Sequence, residues 1–163
     1  MGSDILEKLK QIPLFEEIKD NQDFMQQLQD VCKTRHYKAN ETIIKEGEVG
    51  SEMFVVLEGA VEILKRTRAG DSYTVVKLRA LDNVFFGELA LIDDDRRSAT
   101  VVADKDSDFL VISKDAFLKL GDSNPSIGLP ITRALAKKLA AMLRKTTSDM
   151  LTIFDALVNE IGD

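Results

Sequence analysis

The central half of the chain, residues 33 to 112, is a succession of short runs rich in valine, isoleucine, phenylalanine and threonine. Turn signals such as Glu46-Gly47-Glu48 and Glu58-Gly59 separate these runs. Seven or eight strands at such spacing are typical of an antiparallel sandwich or barrel. We therefore predict strands at residues 35–37, 42–45, 53–57, 60–66, 73–81, 98–103 and 109–112.

Helical periodicity flanks this β-rich part on both sides. Apolar residues between positions 5 and 12 recur at helical spacing until Pro13, and Asp20-Asn21 offers N-caps for a second helix. Ser113 is predicted to cap a short helix that ends at Gly121. The predicted organisation is an N-terminal helical segment over 1–32, the β-rich part over 33–112, and C-terminal helices over 113–163.

The C-terminal stretch from Pro130 to Gly162 contains neither proline nor glycine between its ends, which predicts one long helix. At 1.5 Å per residue it would be about 45–50 Å long, which is more than one small domain needs. Eight of its residues, all but one of them apolar, form a rough seam at coiled-coil spacing, which favours pairing with a second copy. The seam comprises Leu135, Leu139, Met142, Thr146, Met150, Ile153, Leu157 and Ile161.

The composition of the chain excludes several classes of protein. The 163 residues include 22 Lys+Arg and 28 Asp+Glu, and the resulting charge of −6 disfavours a nucleic-acid partner. No apolar run reaches about 18 residues, so no membrane span is expected. Cys32, the single cysteine, cannot form an internal disulfide. It is expected to be a buried, inert thiol in a cytoplasmic protein. The single histidine leaves no histidine-rich metal site of the kind that jelly-roll metalloenzymes use, so we expect no catalysis, metal or cofactor.

Residues 85–101 differ from the rest because they combine the elements of an anion site. Gly87 allows close approach of the backbone, and the following Glu88-Leu89-Ala90-Leu91 suits one short helical turn with free N–H groups at its start. Arg97 follows closely enough to close over the same anion with its planar guanidinium. An alternative is that Glu88 and Arg97 simply pair with each other on a solvated surface.

This segment resembles the phosphate-binding cassette of the cyclic nucleotide-binding domain family. The resemblance rests on Phe86-Gly87-Glu88-Leu89-Ala90-Leu91 and on Arg97-Ser98-Ala99-Thr100-Val101. Two further stretches are similar to that family, namely residues 37–47 (YKANETIIKEG) and 53–59 (MFVVLEG). Together they extend the resemblance over about residues 10 to 145. One departure is that the turn before Phe85-Phe86 has Asn83 where the family usually has glycine, so Asn83 is expected in the left-handed conformation.

The resemblance implies an α+β fold, an antiparallel β-jelly-roll barrel of about eight strands with N-terminal helices and a long C-terminal helical segment. It implies that Glu88 accepts a hydrogen bond from the ribose 2′-hydroxyl and that Arg97 pairs with an equatorial phosphate oxygen. Backbone N–H groups would hold the phosphate. Their candidates are Gly87, Leu89, Ala90, Ser98 and Ala99. Apolar residues would contact the base, with the long helix as a lid. The candidates are Ile63, Leu78, Leu81, Met142 and Leu143.

The resemblance further implies a non-catalytic sensor that binds cAMP and couples this binding to movement of the C-terminal helices. Ser98 does not decide between adenine and guanine, so a cGMP-selective sensor is an alternative. A second alternative is a scaffold of the same fold that dimerises through the C-terminal helix without ligand. The expected partners are the small cyclic nucleotide, a second copy through that helix, and an effector protein of unknown kind. A fragment of a nucleotide-dependent transcription factor is a further interpretation, in which the effector domain is missing.

Overall fold

The computed structural model describes residues 2–67, 69–94 and 96–161. Within these ranges the chain forms four α-helices and eight strands, together with three short 3₁₀ turns. The helices are α1 (Gly2–Lys10), α2 (Gln22–Asp30), α3 (Lys114–Ser123) and α4 (Pro125–Ile161). The strands are β1 (Lys33–Tyr37), β2 (Thr42–Ile44), β3 (Glu52–Glu58), β4 (Ala60–Arg66), β5 (Ser72–Arg79), β6 (Phe85–Phe86), β7 (Thr100–Ala103) and β8 (Ser107–Ser113). The 3₁₀ turns are Pro13–Phe15, Ala80–Asp82 and Glu88–Leu91.

The strands form two four-stranded sheets, ordered β1-β8-β3-β6 and β2-β7-β4-β5, in which every pairing is antiparallel. The α+β class and the antiparallel strands are as predicted, but the predicted barrel is wrong, because no described strand pairs across the two sheets. The physical reason is the layer of large side chains between the sheets, which keeps their faces apart. Phe54 and Phe86 stack there with ring centroids 5.2 Å apart, and Phe109 packs edge-on against both rings.

The inner strands β8 and β3 of the first sheet are buried on both faces, and their side-chain alternation shows why. In β3, Phe54 and Val56 belong to the core between the sheets, whereas Met53 and Val55 belong to the core under the helices. The helices contribute their own buried apolar residues to that second core. These are Leu9, Met25, Leu28, Phe117, Leu120, Ile127, Ile131 and Leu135. The continuous apolar run of β3 in the sequence is therefore the signature of a strand covered on both sides.

Two predicted helix starts are confirmed, because the side chain of Asn21 accepts from the Phe24 N–H and that of Ser113 accepts from the Ala116 N–H. The predicted end of α3 at Gly121 is wrong, since the helix continues to Ser123. Gly121 instead contacts Gly128 of α4, where a Cβ added to Gly128 would lie 2.5 Å from the Gly121 Cα. The glycine is therefore needed for the close packing of α3 on α4.

The long helix also begins earlier than predicted, at Pro125, and contains Pro130 in its second turn. Pro125 occupies the first helical position, which proline favours. Burial of Ile127 and Ile131 holds the turns on either side of Pro130 against the body of the domain. The predicted end at Gly162 lies outside the described residues.

The second part of α4 has little contact with the body of the domain. The helix has 37 residues and is therefore about 55 Å long. Its last buried residue is Leu135, and residues 140–160 are all exposed. Apolar side chains in this part are between 45% and 69% exposed: Met142, Leu143, Met150, Leu151, Ile153, Phe154, Leu157 and Val158. Of the helices that the structure describes, none combines the length and apolarity required to cross a membrane.

Candidate ligand-binding site

The Arg97 guanidinium lies half-buried between the start of β3 and the turn that follows β6. Its Nη1 donates to the Gly87 carbonyl at 3.1 Å, and its Nη2 donates to the Glu52 carbonyl at 2.6 Å. The Arg97 backbone is fixed as well, because its N–H donates to Glu48 O and its carbonyl accepts from Gly47 N–H, both at 2.9 Å. Two hydrogen bonds therefore hold the Arg97 side chain, and two more hold its backbone.

Gly87 is the N-cap of the 3₁₀ turn Glu88–Leu91 and has the left-handed conformation, with φ at 74°. A Cβ at this position would lie 2.9 Å from Arg97 Nη1 and 3.1 Å from the Glu52 carbonyl oxygen. Glycine is thus required here for two reasons, the positive φ and the close approach of the guanidinium. Asn83, at φ 51°, has the left-handed conformation predicted for it.

Glu88 is buried, with only 10% of its side chain exposed, and its carboxylate pairs with a residue of α4. Lys138 Nζ lies 2.6 Å from Glu88 Oε1 and 4.1 Å from the centroid of the Phe85 ring. Among the described residues no ion pair joins Glu88 to Arg97. The solvated surface pair weighed as an alternative is therefore absent from this structure.

The electrostatic environment of Arg97 is that of a partly desolvated cation. Burial lowers the pKa of Arg97, and the nearby carboxylates of Glu52 and Glu88 act in the opposite direction. An arginine stays protonated at neutral pH in such a site. Its direct hydrogen-bond acceptors here are neutral carbonyls, so the site keeps a positive charge that suits an anionic ligand.

Backbone N–H donors surround the same position. Leu89 occupies the second position of the 3₁₀ turn, where an N–H group has no carbonyl within the turn to bond. The Ala90 N–H already donates to the Gly87 carbonyl at 3.2 Å. In the part of the chain that the structure describes, no backbone carbonyl accepts from the N–H groups of Ser98 and Ala99. The geometry thus offers several donors for an anion beside Arg97.

Sequence reasoning missed three residues that support the site, namely Arg35, Glu52 and Lys138. Arg35 donates through both of its terminal nitrogens to the Glu52 carboxylate at 2.8 Å, which fixes the residue whose carbonyl holds Arg97. This hydrogen bond lowers the pKa of Glu52. Lys138 is the third residue. No sequence signal pointed to them, because Arg35 is 17 positions from Glu52 and Lys138 is 50 positions from Glu88.

The predicted base-contacting residues fall into two groups. Ile63 of β4 and Leu78 of β5 are half-buried and pack against the core between the sheets. Leu81 is 90% exposed in the 3₁₀ turn after β5, and Met142 and Leu143 are exposed on α4. These three belong to neither apolar cluster of the described residues. The structure therefore brings Ile63 and Leu78 together and leaves the other three apart from them.

The thiol of Cys32 is removed from reactive chemistry. Its Sγ donates to the Leu28 carbonyl at 3.1 Å, and burial raises its pKa to about 12. Within the described ranges, no group of three or more His, Cys, Asp or Glu side chains is arranged to hold a metal ion.

Comparison with known proteins identifies the family. Residues 34–124 match the sequence profile of the Cyclic nucleotide-binding domain. The chain is 38% identical over 113 residues to the cGMP-dependent protein kinase of Eimeria tenella, covering 68% of this chain and 10% of the kinase. It is 35% identical over 117 residues to the cAMP-dependent protein kinase regulatory subunit of Mycosarcoma maydis, covering 69% of this chain and 21% of the subunit. The chain thus spans about a fifth or less of the length of these relatives.

The fold is similar to that of a solved cyclic nucleotide-binding domain from Methylobacillus flagellatus. The TM-score is 0.76 with 27% sequence identity, and the alignment covers 92% of this chain and 82% of that one. The matched residues 34–124 include Gly87, Glu88 and Arg97. The chain belongs to the cyclic nucleotide-binding domain family.

Proposed function

We propose that this chain is a non-catalytic sensor module whose ligand is cAMP. The observation that carries the proposal is the half-buried Arg97 guanidinium, which is held by the Gly87 and Glu52 carbonyls beside the N–H groups of the 3₁₀ turn. Such a site offers an anion one charge-assisted bond and several neutral ones. A cyclic phosphate diester has the single negative charge that this arrangement would accept.

In this proposal each site residue has one role. Arg97 binds a phosphate oxygen, Glu88 accepts from the ribose 2′-hydroxyl, and N–H groups at Gly87, Leu89, Ala90, Ser98 and Ala99 are the candidates to complete the phosphate cradle. The Ala90 N–H would have to exchange its bond to the Gly87 carbonyl for one to the ligand. Ile63 and Leu78 would contact the base from the sheet. Leu81, Met142 and Leu143 would reach the base only after movement of the turn and of α4.

A cGMP-selective sensor is the second candidate. It is supported by the relatives named as cGMP-dependent protein kinases, which match this chain about as well as those named as cAMP-dependent protein kinase regulatory subunits. Since Ser98 is compatible with both bases, the choice between the two ligands is a matter of measured affinity.

We further propose that ligand binding shifts the position of the C-terminal helices and that the protein signals through them to an effector in the cytoplasm. The exposed apolar side chains of α4 support pairing with a second copy of the chain. This exposed apolar stripe consists of Met142, Leu143, Met150, Leu151, Ile153, Phe154, Leu157 and Val158. A scaffold that dimerises without ligand would use the same stripe, but its association would not respond to nucleotide.

Calorimetric titration with cAMP and with cGMP tests the proposed function. The wild-type chain should bind one of the two at one site per chain. Arg97→Ala should weaken binding by about a hundredfold, because it removes a charge-assisted bond at a desolvated site. Arg133→Ala is the control, since Arg133 pairs with Glu17 on the surface, away from the site. Thermal unfolding of each variant should be recorded to verify folding. If neither nucleotide binds to the wild type, or if Arg97→Ala binds as the wild type does, the proposal is wrong.

A further inference from the structure

The side chain of Arg35, on β1, reaches past β8 to the start of β3. In the first sheet β8 lies between these two strands. The Arg35 guanidinium is 5.8 Å from the centroid of the Phe54 ring, which belongs to the core between the sheets. Its two terminal nitrogens donate to the two carboxylate oxygens of Glu52, each at 2.8 Å. Arg35 therefore engages the Glu52 carboxylate through both of its oxygens.

The same Glu52 also meets Arg97, but through its backbone. The Glu52 carbonyl accepts from Arg97 Nη2 at 2.6 Å. Burial lowers the pKa of Arg97, and the Glu52 carboxylate opposes this effect, so the two charges act on each other. No ion pair joins the two side chains in the part of the chain that the structure describes. One glutamate thus lies between two arginines, with its carboxylate on one and its carbonyl on the other.

A free carboxylate beside Arg97 would compete with an anionic ligand. The bonds to the Gly87 and Glu52 carbonyls use two of the five N–H donors of Arg97, so donors remain for an anion. A carboxylate binds a guanidinium through charge-assisted hydrogen bonds, as a phosphate does. If nothing held the Glu52 carboxylate, it could take the same donors, and it would repel a phosphate placed next to it.

We infer that Arg35 is a positioning residue that holds the Glu52 carboxylate away from Arg97 and so keeps the Arg97 charge available to an anionic ligand. This inference rests on the proposed function, in which the anion is a cyclic nucleotide. An arginine suits this role because its planar guanidinium occupies both carboxylate oxygens at once. The charges of Arg35 and Glu52 cancel, which leaves the positive charge of the three residues on Arg97.

Calorimetric titration at low ionic strength tests this role with whichever of cAMP and cGMP the wild type binds more tightly. Arg35→Met keeps an apolar stem over Phe54 and frees the Glu52 carboxylate, so binding should weaken about tenfold. Adding Glu52→Gln removes the freed charge, and the double variant should recover to within about threefold of the wild type. Arg133→Met is the matched control, because Arg133 pairs with Glu17 on the surface.

Glu52→Gln alone supplies a second readout that separates the role of the charge from a merely structural role of the ion pair. The substitution keeps the backbone carbonyl for Arg97 and leaves Arg35 without its counter-charge, so nucleotide binding should tighten about threefold. An ion pair that only braced β1 against β3 would instead give weaker binding. Because the pair is partly exposed and such pairs add little stability, the variants should fold, which thermal unfolding verifies.

Three results would overturn the role of Arg35 while leaving the proposed function standing. With a wild type that binds, these are wild-type affinity in Arg35→Met, a double variant as weak as Arg35→Met, and no gain in Glu52→Gln. If Arg35→Met does not fold, the result for Glu52→Gln decides alone. A wild type that binds neither cAMP nor cGMP overturns both the role of Arg35 and the proposed function.

Discussion

At the scale of single residues, the site depends on small side chains that let Arg97 occupy its position. Gly50 lies directly against the guanidinium, and a Cβ added to Gly50 would be 2.6 Å from Arg97 Cζ. The φ angle of Gly50 is not in the left-handed region, so space rather than backbone strain requires the glycine.

Gly50→Ala should therefore weaken nucleotide binding by about tenfold, since a displacement of a charged group by about 1 Å is enough to cost such a factor. The substitution touches no proposed ligand atom, so its effect would act through Arg97. The exposed neighbour Ser51 provides the control, and Ser51→Ala should bind as the wild type does. An unchanged affinity for Gly50→Ala would mean that the position of Arg97 does not limit binding.

The cassette residues of the site could be predicted from the sequence, whereas the residues that hold them in place could not. Gly87, Glu88 and Arg97 could be predicted because the cassette spaces them within eleven positions of each other. Lys138 and Glu52 could not, because the contact of Lys138 depends on where α4 leaves the domain and that of Glu52 involves a backbone carbonyl. Long-range packing decides both, and no local pattern encodes it.

At the scale of elements, the packing of α3 on α4 is the feature that could not be predicted from the sequence. A glycine near a predicted helix end indicates a C-cap, and the sequence predicts this role for Gly121. Its actual role is close contact with Gly128, seven residues later and on the next helix. The strands and the N-caps were more predictable, because alternation and capping are local properties.

The two glycines should respond differently to alanine. A Cβ on Gly128 would lie 2.5 Å from the Gly121 Cα, whereas a Cβ on Gly121 would lie 3.3 Å from the Gly128 Cα. Gly128→Ala should lower the free energy of unfolding by about 1–3 kcal/mol, because the helices must separate. Gly121→Ala should change it by less than about 1 kcal/mol, since the gain in helix propensity offsets a milder contact. Chemical denaturation measures both, and equal effects would contradict this packing.

At the scale of the whole molecule, the net charge opposes the approach of an anionic ligand, whereas the exposed apolar part of α4 favours association with another chain. The net charge of −6 repels an anionic ligand over long distances, so affinity has to come from the local donors at Gly87 and Arg97. The exposed apolar stripe on the free part of α4 is unusual for an isolated domain and favours association.

Association through α4 should be sensitive to the stripe and not to the opposite helix face. Sedimentation equilibrium should show a dimer whose dissociation constant rises at least about tenfold with Phe154→Glu, because a buried aromatic side chain contributes about 1.5–3 kcal/mol. Ser148 lies on the other face at helical spacing, so Ser148→Glu should leave association unchanged. A chain that is monomeric at all concentrations would contradict pairing through this helix.

The most direct test of the central claim is to map the nucleotide site with backbone amide resonances of the full chain. Addition of cAMP, or of cGMP if that nucleotide binds more tightly, should shift the amide signals of Gly87, Leu89, Ser98 and Ala99 most. Signals of Thr147 and Ser148, which lie on the exposed part of α4 outside residues 85–101, should stay in place. If the largest shifts fall outside residues 85–101, or if no signal moves with either nucleotide, then the site around Arg97 is not where this chain binds its ligand.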